Sequence, residues 1–232
     1  GVSQGIYNSL NCGLGSGDKK ENVLKNLSIV SQKIGLNTKN LFTMNQTHSN
    51  KVVVINDTNI LARRIDSDAL VTNKKNIAIS VLTADCVPIL IYDEVNQIIA
   101  SIHAGWRGAF GGLIENTLNE IIKISGNGKI NVAIGPCIGV NNYEVGHEFY
   151  TSFIQKSKKN QKFFFSTPKN KFLFNLRKYV NSKFQELGVN YIENIDFDTY
   201  SDNKNFFSFR RSQKVGEKDY GRCISVISLT ND

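Results

Sequence analysis

The chain has 232 residues, 41% of them hydrophobic and 21% charged, with a net charge of +8. That length buries a large core without disulfide staples, and no apolar run approaches the ~20 residues of a membrane-spanning helix. Its lysines (Lys19, Lys25, Lys33, Lys74, Lys158 and Lys171 among them) are scattered, which fits a solvated surface and argues against a nucleic-acid-binding stripe.

Gly1 to Tyr7 lack the basic and apolar regions of a signal peptide, so a cytoplasmic location is the expectation. Asp18-Lys19-Lys20-Glu21 reads as a capping box before a helix bearing Val23, Leu24, Leu27 and Val30, with Gly35 ending it. Residues 51–55 form a β-branched run and read as a strand. Two apolar runs, 77–82 and 87–92, are broken by Thr83-Ala84-Asp85-Cys86. Pro88 places the second run at an edge, a strand start or a bulge.

A further strand, 97–102, leads into His103-Ala104-Gly105-Trp106-Arg107-Gly108. A helix follows, with Ile114, Leu118, Ile121 and Ile122 on its apolar face and Gly126 as its stop. Residues 130–134 form a strand entering Gly135-Pro136-Cys137-Ile138-Gly139. Residues 147–158 read as helix and 156–162 as an exposed basic loop. Asn175 caps a helix with Leu176, Val180, Phe184 and Leu187 that stops at Gly188. Strands are expected over 189–195 and 223–229. Strands and helices mix without strict βα alternation, so the expected fold is α/β: one compact domain over residues 1–232, with a mixed sheet and flanking helices.

The chain carries three histidines and four cysteines, the latter not spaced as a disulfide scaffold. His48, in Gln46-Thr47-His48-Ser49, lies before a strand, His103 follows one, and Cys86 sits in a break between two. Two imidazoles and a thiolate make a ligand set for one catalytic zinc with an open position. The separations of 38 and 17 residues form no short-spacing motif. A buried thiol and a packed core imidazole explain the same residues equally well.

Asp85 fits a ligand-orienting or general-base role, or a turn cap. Arg107 follows small residues at a helix start, a setting that suits phosphate and also a plain strand-to-helix turn. Cys137 either faces the site or packs in the core. In Phe206-Phe207-Ser208-Phe209-Arg210-Arg211, one arginine can reach an anion, or both remain solvated. His147 has the placement of a helix-surface residue.

Together these segments resemble the laccase-domain family, once called multicopper polyphenol oxidases and now read as purine nucleoside phosphorylases. Asp66-Ser67-Asp68-Ala69, Thr83-Ala84-Asp85-Cys86-Val87-Pro88, the HAGWRG run from His103, Tyr143-Glu144-Val145 and Gly221-Arg222 follow in family order. The resemblance implies a single α/β domain with Zn²⁺ on His48, Cys86 and His103. It implies phosphorolysis of adenosine, inosine, guanosine and methylthioadenosine, with adenosine deamination as a side activity. Arg107, Arg210 or Arg211 would then neutralise phosphate, and Asp85 or Glu144 would manage a proton on the leaving base. The chain departs from the family pattern at Leu27, where an arginine is common, and at Asp198, where a cysteine is common.

Two rival functions follow from the same residues. A copper oxidase of phenols needs a His-rich trinuclear cluster, which three histidines cannot build, although a His₂Cys site can take copper in vitro. A basic nucleic-acid-binding or interaction protein would use the +8 charge.

Overall fold

Strand pairing places a six-stranded mixed sheet at the centre of the computed structural model, which describes residues 1–56, 65–126, 128–189 and 191–230. In chain order the strands are β1 (Leu41–Phe42), β2 (Met44–Asn45), β3 (Val52–Val54), β4 (Ile65–Asp66), β5 (Ala69–Thr72), β6 (Ala78–Thr83) and β7 (Val87–Asp93). They continue with β8 (Ile98–Ala104), β9 (Ile130–Ile134), β10 (Glu144–Val145), β11 (Phe164–Thr167), β12 (Lys171–Phe174), β13 (Tyr191–Asn194) and β14 (Cys223–Ser228). The helices are α1 (Lys20–Lys33), α2 (Trp106–Phe110), α3 (Leu113–Ser125), α4 (His147–Lys156), α5 (Leu176–Glu186) and α6 (Phe209–Val215).

The main sheet runs β13-β9-β7-β8-β5-β3, parallel at its two edges and antiparallel within. A second sheet, β1-β6-β14, lies against one of its faces. The alternation of β8 shows why. Ile98, Ala100 and Ile102 enter the cluster beneath α2 to α5, while Ile99 points the other way to meet Ile79, Val81 and Phe42. In β5, Ala69 and Val71 join the helix-side cluster and Leu70 the inter-sheet one. Period-two alternation therefore fills both faces of the same strands. On the far side of the second sheet, α1 packs Val23, Leu27 and Val30 against Leu41 and Ala78. Leu27 thus fills the core in this chain.

Several sequence expectations shift by a residue or a face. The strand expected to end at 102 extends through Ala104, so His103 lies within β8. The capping box does not form: Lys19 is the N-cap, and Asp18 instead accepts hydrogen bonds from the Ser3 hydroxyl (2.6 Å) and Asn11 Nδ2 (3.0 Å). Leu24 and Ile122 are exposed, each on a helix whose apolar face is narrower than its sequence spacing indicated, and Leu187 is exposed just past the end of α5. Residues 158–163 form a 3₁₀ turn that buries Asn160 and Phe163, where an exposed loop was expected. Pro88 is the second residue of a central strand and pairs only with β8, since pairing with β9 begins at Ile89; that is the strand start anticipated for it. Asn175 caps α5 by accepting from Lys178 N at 2.9 Å. Asn190, within the strand expected over 189–195, lies outside the described residues.

Candidate metal centre

The site forms where β5, β7 and β8 end together. Ala69 pairs with Ile102 and Val87 with Ala104, so Asp68 falls opposite His103, and Cys86 opposite Gly105. His48 arrives from the loop between β2 and β3. The ligand atoms of His48, Cys86 and His103 all lie within 4.8 Å of one another, and among the described residues they are the only such group of three. Cys86 Sγ is 3.8 Å from His48 Nε2, and the two imidazole rings meet edge to face at 4.8 Å. His48 is exposed, Cys86 half-buried and His103 buried, so one side of the cluster opens to solvent.

One fully buried carboxylate organises this geometry. Asp68 Oδ1 is 2.8 Å from His103 Nδ1 and accepts from the backbone N–H of His48 at 3.0 Å. Its Oδ2 accepts from the Ser49 N–H (2.6 Å), the Ser49 hydroxyl (2.7 Å) and the Thr47 N–H (3.2 Å). The bond to Nδ1 makes that nitrogen the donor and leaves His103 Nε2 free for a metal. The bonds to residues 47–49 hold His48 at φ +59°, a left-handed conformation that L residues rarely adopt. Burial alone would raise the carboxyl pKa, but hydrogen bonds from His103 and Ser49 hold it well below the usual carboxylate range. The sequence reading offered Asp85 a ligand-orienting role beside those of a general base and a turn cap. The structure gives it to Asp68, because the β5–β8 register puts Asp68 beside His103.

The residues present fit a metal. Burial opposes ionisation of Cys86 and of His103. Their mutual attraction outweighs it, lowering the thiol pKa and raising that of the imidazole, as in a thiolate–imidazolium pair. Gly105 keeps the space open, since a Cβ there would lie 2.9 Å from His48 Cδ2 and 3.1 Å from Cys86 Sγ. The cluster lines a cavity of about 260 Å³ that Gln46, Tyr220 and Arg222 also border.

The other sequence-predicted site residues do not line this cavity. Asp85 is buried at φ +87°, and both its oxygens are taken, by the Thr199 hydroxyl (2.7 Å) and the Arg210 N–H (2.6 Å). Burial raises its pKa against those bonds. It pins the 199 and 208–210 segments beside Cys86, closer to the turn-capping alternative than to a base. Cys137 belongs to the helix-side core cluster, where it packs, and burial pushes its thiol up to about 12. Arg107 lies over Trp106 at 5.1 Å, and Arg210 over Tyr143 at 5.2 Å while donating to the Glu144 carbonyl. Glu144 pairs at the surface with Lys171 at 2.6 Å. Asp198 holds the Gly139 and Tyr200 N–H groups at 2.8 and 3.0 Å, which ties the 135–139 loop in place.

Arg211 is a structural arginine. It donates to the carbonyls of Thr199 (2.7 Å), Tyr200 (2.8 Å) and Phe206. Arg211→Met leaves those acceptors without their charged donor. A loss of about 3 kcal/mol is expected, seen as a lower urea midpoint at an unchanged m value.

A family model described as multi-copper polyphenol oxidoreductase laccase matches residues 1–230. The chain belongs to this family. A Rickettsia conorii protein named purine nucleoside phosphorylase is 34% identical over 216 residues, covering 91% of this chain and 89% of its own. An Escherichia coli protein of the same name is 31% identical over 229 residues, covering 99% and 90%. The crystal structure of a Neisseria meningitidis protein superposes with a TM-score of 0.87 at 32% identity, covering 100% of this chain and 90% of that one.

The family's description speaks of several coppers, and the chain's histidines do not. The third histidine, His147, stands on α4 beside Tyr150 and Phe172, with ring centroids 6.2 and 6.0 Å away, and is no part of the cluster. A multicopper centre joins a His/Cys site to a His-rich cluster, and this laccase-family chain brings together the three ligands of one site.

Proposed function

We propose that the chain is a zinc-dependent purine nucleoside phosphorylase. It cleaves adenosine, inosine, guanosine and methylthioadenosine with phosphate, and deaminates adenosine as a side activity. Residues 1–232 work as one domain, in the cytoplasm. The observation that carries this reading is the single His₂Cys set, pre-positioned by Asp68 at an open cavity, in a chain whose relatives bear the phosphorylase name.

His48, Cys86 and His103 would hold the ion. When bound there, zinc supplies Lewis acidity toward an oxygen in the cavity. Asp68 keeps His103 in the ligating tautomer, and Gly105 leaves room for the ion. In the reaction a phosphate oxygen bonds to the anomeric carbon and the glycosidic C–N bond breaks. The electron pair stays on the purine, which then takes up a proton. Thiolate and imidazole ligands also accept copper, and the phenol-oxidase reading rests on that chemistry alone.

The test supplies inosine and inorganic phosphate to zinc-loaded protein and follows hypoxanthine and ribose 1-phosphate. Both products are expected, in equal amounts. A copper-loaded sample is expected to leave phenols unoxidised. Zinc-replete protein that yields no hypoxanthine, or copper-dependent phenol oxidation in its place, would overturn the proposal.

A further inference from the structure

We propose that Arg222 is the oxyanion anchor of the metal cavity and that it takes inorganic phosphate. The inference rests on the phosphorylase reading of that site. It assigns the anion to a residue outside the three arginines that the motifs singled out.

Those three arginines do not line the cavity of the ligand cluster. Arg211 donates to three backbone carbonyls, Arg210 lies over Tyr143, and Arg107 lies over Trp106. Arg222 alone, among the described Lys and Arg side chains, lines the cavity that His48, Cys86 and His103 share. Its guanidinium stacks over the Tyr220 ring at 4.2 Å. Nη1 donates to the Tyr220 carbonyl at 2.7 Å and lies 3.4 Å from Asp219 Oδ1. Nε and Nη2 have no protein hydrogen-bond partner among the described residues, and the side chain is 21% exposed. A half-buried guanidinium with one edge fixed and the other edge free presents the parallel N–H pair that two oxygens of a phosphate accept.

The surroundings hold that edge in place. Asp219, the one carboxylate bonded to Arg222, is itself tied by the Tyr7 hydroxyl (2.8 Å) and the Gly17 N–H (2.7 Å) on its other oxygen. The Arg222 backbone N–H donates to Asn11 Oδ1 at 2.9 Å, and its carbonyl accepts from Cys12 N at 3.1 Å. Gly13 lets the side chain pass, because a Cβ there would lie 2.3 Å from Arg222 Cδ. Ring stacking and the Nη1 bonds lower the entropy lost when the anion binds.

The test titrates zinc-loaded wild type, Arg222→Met and Arg222→Lys with inorganic phosphate in a calorimeter. Zinc content is measured on the same samples, and KM is determined separately for phosphate and for inosine. Arg222→Met is expected to weaken phosphate binding, and to raise the phosphate KM, by about 10- to 100-fold. The lysine variant should fall between, since it keeps the charge and loses the fork. Zinc stoichiometry and the inosine KM should stay at wild-type values. Wild-type phosphate affinity in zinc-replete Arg222→Met overturns the assignment, as does a loss shared equally by phosphate and inosine. If the wild type binds phosphate through Arg222 and releases no hypoxanthine, the phosphorylase reading fails and the anion site stands. If the wild type binds no phosphate, the anion site fails whatever the activity.

Discussion

Asp68→Ala is expected to weaken zinc binding by about 10- to 100-fold and to lower stability by about 3 kcal/mol. The two effects share one cause. Asp68 is fully buried, and its oxygens serve His103 Nδ1, three backbone N–H groups at residues 47–49 and the Ser49 hydroxyl. Removing the carboxylate frees the His103 ring to change tautomer, so Nε2 is no longer held as the ligating atom. It also leaves the His48 loop, at φ +59°, without the bonds that keep it there. Asp68→Asn keeps one acceptor oxygen and should give a smaller loss on both counts. Competition against a chelator of known affinity and a urea melt of the metal-free protein read the two effects separately. Wild-type zinc affinity in Asp68→Ala would remove the carboxylate from the site.

Cys86→Ser is expected to lower bound zinc from about one ion per chain to below about a tenth at micromolar metal, with phosphorolysis lost in proportion. The thiolate is the only anionic member of the ligand set, and a serine hydroxyl does not ionise near neutral pH. Its folded-state cost should be slight, because the side chains match in size and Cys86 stands in a turn between β6 and β7. Cobalt gives a readout independent of activity. The wild type loaded with Co²⁺ should show sulfur-to-metal charge-transfer absorption, and Cys86→Ser should not. In the wild type, lowering the pH should release the metal, because protons compete for the thiolate and for both imidazoles. Full zinc occupancy in Cys86→Ser would show that the cluster does not bind through sulfur.

Much of the site was legible before the fold. Its three ligands stand in short dense patterns at strand ends, and the breaks around Cys86 and after His103 marked those ends. The carboxylate and the arginine that complete it were not. Asp68 lies 35 residues from His103 and 20 from His48, and only the β5–β8 pairing brings them together. Its visible signal was modest: a charged residue in Asp66-Ser67-Asp68-Ala69, just before a buried strand. Arg222 lies 211 residues from its partner Asn11. The Arg210-Arg211 pair drew attention as a local doublet, yet Arg211 spends its donors on neighbouring carbonyls.

The sequence by itself determined the α/β class, the helices over Val23, Ile114 and Val180 and the central strands, and it offered the ligand set of His48, Cys86 and His103 as one of two readings. It also excluded a multicopper cluster, since counting histidines needs no geometry. The tertiary structure decided which carboxylate orients the ligands, which arginine faces the cavity, and that Cys137 is core. The division has a physical origin. Helix caps, strand periodicity and ligand chemistry act within a few residues and leave their mark on local pattern. Strand register and the hydrogen bonds across it couple residues far apart in the chain. A shift of one residue in β5 would have turned Asp68 to the opposite face of the sheet, away from His103.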